Sequence, residues 1–121
     1  MAELSGLRIL VVEDEGTVAF MIEEMLEDLG CEVAASVARV SRAEEAVRST
    51  TVDLALLDVN LAGETSFDLA RDLICRAIPL VFSTGYGNGG LPADLEGRPV
   101  LTKPFTATDL EQAIVKVLPA G

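Results

Sequence analysis

Five short apolar runs alternate along this chain with segments whose apolar residues recur at helical spacing, and that alternation restricts the fold more than any other feature. Leu7 to Val12 reads as a first buried strand, followed by a helix from Thr17 to Leu29. Val18, Met21, Ile22, Met25, Leu26 and Leu29 form its apolar face, Glu23, Glu24, Glu27 and Asp28 the opposite one, and Gly30 a stop. Glu32 to Val37 is a second strand, and Ser41 is expected to cap a helix running to about Arg48. Asp53 to Asp58 is a third strand, apolar enough to be buried on both faces. Beyond Gly63, Ser66 to about Arg76 is helical; Pro79 to Ser83 is a fourth strand. Asn88-Gly89-Gly90-Leu91-Pro92 is rich in breakers, so the fourth helix should be short or disordered, with a turn possible at Ala93 to Glu96. Pro99 to Thr102 is a fifth strand, and Thr106 or Thr108 caps a last helix carrying Leu110, Ala113, Ile114, Val117 and Leu118. Such alternation predicts an α/β fold, a flavodoxin-like doubly wound parallel sheet of five strands, with 2-1-3-4-5 as the leading strand order by analogy with other sheets of that kind.

Residues 1–121 are expected to form one domain with its core in 7–118 and no output domain attached. A formal net charge of −11 argues against nucleic acid as a direct partner. No apolar run is long enough to span a membrane, and the first residues lack the pattern of a signal peptide, which together predict a cytoplasmic protein. Cys31 and Cys75 form no CxxC and are expected to be reduced core or near-core thiols. The chain contains no histidine, which removes His-based acid–base catalysis, the usual zinc sites and any Ser-His-Asp triad. If phosphohistidine chemistry is involved, the donor must be another chain.

Polar groups end four of the strands. Glu13 and Asp14 follow the first, Asp58 closes the third, Thr84 follows the fourth and Lys103 the fifth. In a 2-1-3-4-5 sheet these ends converge on the crevice where open parallel sheets bind ligands. Three carboxylates there repel one another unless a cation neutralises them, and Mg²⁺ accepts carboxylate oxygens and a backbone carbonyl. Lys103, one of two lysines in the chain, adds a positive charge. The set suits phosphoryl transfer to Asp58 as nucleophile, with Lys103 and Thr84 binding phosphoryl oxygens. Each residue also has a plainer reading: Asx-turn or capping residues for Asp58 and Asn60, an acidic helix start for Glu13-Asp14-Glu15, a turn at Thr84-Gly85, a solvated Lys103.

Four motifs in order carry a resemblance. Val11-Val12-Glu13-Asp14-Glu15, Leu56-Leu57-Asp58-Val59-Asn60, Ser83-Thr84-Gly85 and Thr102-Lys103-Pro104-Phe105 are similar to the acidic pair, phosphoacceptor strand, hydroxyl switch and lysine–proline end of bacterial two-component response-regulator receiver domains. The resemblance implies that Asp58 accepts the phosphoryl group from a sensor histidine kinase. It implies Mg²⁺ on Asp14, Asp58 and the backbone carbonyl of Asn60, with Glu13 acting through water, and a cis Lys103–Pro104 peptide. Departures from the family pattern are Ala62 for a usual proline, Glu13 for a commoner Asp, and Val100 for the aromatic residue that usually reports phosphorylation. The string Phe82-Ser83-Thr84-Gly85-Tyr86 resembles the Phe-Ala-Thr-Gly motif of a single-domain receiver subfamily of alphaproteobacteria, which makes Tyr86, Val100 and Gly85 the switch candidates.

The expected function is that of a stand-alone response regulator rather than an enzyme. It would signal by protein–protein contact with a downstream partner or act as a phosphate sink competing with another regulator, with Gly85 to Gly97 as the element that phosphorylation reorders. A Mg²⁺-dependent aspartyl-nucleophile phosphatase of the haloacid-dehalogenase type is the alternative. It would want a second Asp where Asn60 stands, and a cap. A flavin or nucleotide binder would want a glycine-rich loop after the first strand.

Overall fold

The computed structural model describes residues 4–85 and 90–118. Five parallel strands, β1 (Arg8–Val12), β2 (Glu32–Val37), β3 (Leu54–Asp58), β6 (Leu80–Thr84) and β7 (Val100–Thr102), form one sheet in the order β2-β1-β3-β6-β7. This is the flavodoxin-like 2-1-3-4-5 order, with β6 and β7 as the fourth and fifth strands of the main sheet. Helices α1 (Gly16–Asp28), α2 (Val40–Ser49) and α3 (Phe67–Cys75) lie in the crossovers between successive strands, and α4 (Ala107–Val117) follows β7.

Strand alternation divides the interior in two. Ile9 and Val11 of β1, Leu54 and Leu56 of β3, Val81 and Leu101 face one way, onto Ile22 and Leu26 of α1 and Leu110, Ala113 and Ile114 of α4. Leu10, Val12, Ala55, Leu57, Leu80 and Phe82 face the other way, onto Ala43 and Ala46 of α2 and Leu69, Ala70 and Leu73 of α3. All five residues of β3 are buried, as a central strand covered on both faces must be. Cys31 is buried and Cys75, at the end of α3, is exposed.

Local chemistry departs from expectation at the start of α2 and after β3, and meets it at the start of α4. Ser41 does not cap α2: the helix begins at Val40, with Arg39 at its N-cap and no side-chain capping bond. Thr106 does cap α4, in a reciprocal box with Asp109 (3.0 and 3.1 Å). A short antiparallel hairpin, β4 (Asn60–Leu61) with β5 (Glu64–Thr65), stands between β3 and α3 and has no counterpart in the sequence reading.

Among the described residues of the breaker-rich segment beyond β6 there is a single 3₁₀ turn, Ala93–Leu95, and no full helix. Two anchors hold it. Leu95 is fully buried among the α2/α3-side core residues. Asp94 accepts two hydrogen bonds from the Arg71 guanidinium (2.9 and 3.2 Å), which also donates to Asp68 (2.8 Å).

Candidate functional site

The same alternation that sorts the core also builds the site. Ile9–Val11–Glu13, Leu54–Leu56–Asp58 and Leu101–Lys103 are residues of one parity along β1, β3 and β7, so each apolar stripe on the α1/α4 side runs at the sheet edge into a charged residue. Both strand extensions remain in the ladder: Glu13 N–H donates to the Val37 carbonyl at 3.0 Å and Lys103 N–H to the Thr84 carbonyl at 2.8 Å. The three side chains meet there. Lys103 Nζ donates to Glu13 Oε1 at 2.7 Å and to Asp58 Oδ2 at 3.0 Å.

Glu13 and Asp58 are buried, Asp14 is exposed, and one carboxylate oxygen of each lies within 4.8 Å of the others. Glu13 is occupied on both oxygens, since Oε2 accepts the Glu15 backbone N–H at 3.1 Å. Asp58 Oδ1 accepts the backbone N–H of Asn60 at 3.2 Å. Burial pushes the Glu13 carboxyl above its ordinary value, against the hydrogen bonds from Lys103 and the Glu15 amide, and the charge of Asp58 adds to the rise. Burial alone would lower the Lys103 ammonium. Its hydrogen bonds to Glu13 and Asp58 outweigh that, and the net shift is upward.

A cleft of about 620 Å³ opens over these groups. Asp14, Asp58, Asn60, Thr84, Gly85 and Lys103 line its polar part; Val18, Met21 and Phe105 line an apolar wall. Glu13 lies behind that lining, with its carboxylate spent on Lys103 and Glu15. One ammonium opposes three carboxylates, and the remaining donors are oxygens. That set of oxygens fits a hard divalent cation such as Mg²⁺.

The sequence-selected residues thus fall into two groups. Glu13, Asp14, Asp58, Asn60, Thr84, Gly85 and Lys103 come together at one sheet edge. Val100 does not. It is half-buried on β7, against the α2/α3-side core that holds Leu95. Tyr86 lies outside the described residues. The Lys103–Pro104 peptide is cis. Sequence reasoning missed that Lys103 bridges Glu13 and Asp58 directly; the shared parity of residues 9-11-13, 54-56-58 and 101-103 is a signal that they share one face of the sheet.

A family model described as the response regulator receiver domain matches residues 9–115. The fold is similar to that of SdrG from Sphingomonas melonis Fr1, 39% identical, with a TM-score of 0.84 over 98% of this chain and 100% of that one. It is also similar to the BeF₃-activated conformation of SdrG from Pseudomonas melonis Fr1, 38% identical, with a TM-score of 0.82 over the same shares of both chains. Sensory transduction protein LytT of Bacillus subtilis strain 168 is 32% identical over 117 residues, covering 91% of this chain and 47% of that protein. The chain spans about half the length of the curated relatives it matches. A buried carboxylate at the end of a central strand, bridged by lysine and open to a cleft, agrees with that match, and the chain belongs to the response regulator receiver domains, which are phosphoacceptor signalling domains rather than enzymes.

Proposed function

We propose that Asp58 is the phosphoacceptor, taking a phosphoryl group from the phosphohistidine of a sensor histidine kinase in a Mg²⁺-dependent reaction. The observation that carries this reading is the Asp58 carboxylate itself, buried at the end of β3, 3.0 Å from Lys103 Nζ, and lining a cleft that Asp14, Asn60 and Thr84 also line. Asp14, Asp58 and the Asn60 backbone carbonyl would hold Mg²⁺, and Glu13 would act on it through water. The bound ion supplies charge neutralisation for the phosphoryl oxygens. Asp58 attacks phosphorus as the bond to the donor nitrogen breaks, so the phosphoryl group passes to the carboxylate and the imidazole leaves. Lys103 gives up part of its contact with Asp58 to a phosphoryl oxygen. Thr84, buried at the end of β6, donates its hydroxyl to another oxygen once the acyl phosphate has formed.

The likeness to a relative with a BeF₃-activated conformation supports this, because beryllofluoride on a carboxylate stands in for a phosphoryl group. The same likeness, with Phe82-Ser83-Thr84-Gly85-Tyr86, supports placement in the Phe-Ala-Thr-Gly subfamily. On that reading the domain works alone in the cytoplasm, by contact with a protein partner or as a phosphate sink. With Val100 in place of an aromatic residue, Gly85 and Tyr86 carry the switch. Incubation with acetyl phosphate and Mg²⁺, followed by intact mass, is expected to show one added phosphoryl group that is absent in Asp58→Asn and in Mg²⁺-free buffer. Phosphate added equally to Asp58→Asn would refute the assignment.

A further inference from the structure

The hairpin between β3 and α3 pairs Asn60 with Thr65 and Leu61 with Glu64. The two residues joining its strands, Ala62 and Gly63, have φ of 52° and 90°. Positive φ at both central positions is the requirement of a type I′ turn. In a two-residue hairpin the residues flanking the turn are the hydrogen-bonded pair, here Leu61 and Glu64. The next pair, Asn60 and Thr65, therefore points its N–H and C=O groups away from each other. The bond from Ser66 N–H to the Val59 carbonyl at 3.1 Å has the alternate spacing that this register demands.

The consequence falls on Asn60. Its N–H, turned out of the hairpin, donates to Asp58 Oδ1 at 3.2 Å. In an extended residue the C=O points to the same side as the N–H, so the hairpin turns the Asn60 carbonyl to the Asp58 side of the strand. The Asn60 side chain closes the arrangement, with Oδ1 accepting the Gly63 N–H at 3.1 Å. We propose that the β4–β5 hairpin is the positioning device for the Asn60 carbonyl, and that Ala62 and Gly63, acting through it, set the affinity of the site for Mg²⁺. This rests on the reading in which that carbonyl is a ligand of the ion. It also gives a reason for Ala62 where receivers usually carry proline: the proline ring fixes φ near −65°, incompatible with the 52° found here.

The test compares Ala62→Pro, Ala62→Asn and Gly63→Ala in the full chain, by calorimetric Mg²⁺ titration without phosphodonor and by amide exchange at Leu61 and Glu64. Asn adopts positive φ readily, so Ala62→Asn is expected to bind Mg²⁺ at least as tightly as the parent. Ala62→Pro is expected to bind about ten-fold more weakly, the loss usual when the support of a metal ligand is removed. Gly63→Ala, whose new Cβ meets open space but whose φ is strained, is expected to fall between them and serves if Ala62→Pro does not fold. Undiminished Mg²⁺ affinity in Ala62→Pro or Gly63→Ala, with hairpin protection lost, overturns the proposal, as does an equal loss in Ala62→Asn. Failure of the underlying site reading looks different: the parent binds no Mg²⁺, or Asp14→Asn and Asp58→Asn leave binding intact.

Discussion

Glu13 is held by two donors and yet is costly to ionise, because burial outweighs both. Its folded value lies above its unfolded one. The stability this contributes is complete below the unfolded value near 4.5 and is lost as pH rises through the raised folded value. In metal-free buffer, lowering the pH from neutral to about 5 is therefore expected to stabilise the parent relative to Glu13→Gln, measured as the difference in urea midpoints. A difference that is flat, or that shrinks as pH falls, would contradict the burial argument. Lys103 shares this geometry, and its raised value keeps it cationic throughout that range. The placement of Asp58, Asp14 and Lys103 at strand ends was legible in the chain. Their mutual distances were not, since parity shows which residues share a face but not how far an ammonium reaches.

Two helices end in the same way on different residues. After α1, Gly30 N–H bonds the Glu27 carbonyl and Cys31 N–H the Leu26 carbonyl; after α3, Ala77 N–H bonds Ile74 and Ile78 N–H bonds Leu73. Both are Schellman motifs, with φ of 89° at Gly30 and 61° at Ala77. Alanine in that conformation clashes with its own carbonyl, so Ala77→Gly is expected to stabilise the fold by about 0.5 kcal/mol and Gly30→Ala to destabilise it by about 1 kcal/mol. Urea denaturation of the two variants checks both signs. Gly30 announced its helix end in the sequence and Ala77 did not, because a left-handed alanine leaves no mark in composition. The hairpin was hidden for the same reason, as its turn uses Ala-Gly in place of the usual Asn-Gly. The glycine-rich stretch after β6 was legible as a damaged helix, but its tether through Arg71 to Asp94 joins residues 23 positions apart. On phosphorylation we expect the largest amide NMR shift changes within 85–97. Changes confined to the Asp58 pocket would exclude that segment as the responsive element.

At the scale of the whole molecule, periodicity was enough to predict the fold class, whereas the strand order, which right-handed crossovers narrow to a few alternatives, came by analogy with flavodoxin-like sheets. Charge acts at this scale as well. Twenty acidic residues against nine basic ones give a self-repelling surface that compactness worsens. Raising ionic strength from about 10 mM to about 300 mM is expected to increase the urea midpoint by screening that repulsion. A falling midpoint would mean that local pairs, such as Arg8 with Glu32 and Arg71 with Asp94, outweigh the net field. The two thiols divide along the same inside–outside line. Burial both shields Cys31 and raises its thiol, whereas Cys75 meets solvent at the end of α3. The chain thus presents one exposed thiol to a thiol-selective label: a maleimide fluorophore or spin probe delivered to Cys75 marks the end of α3, with no cysteine to remove beforehand.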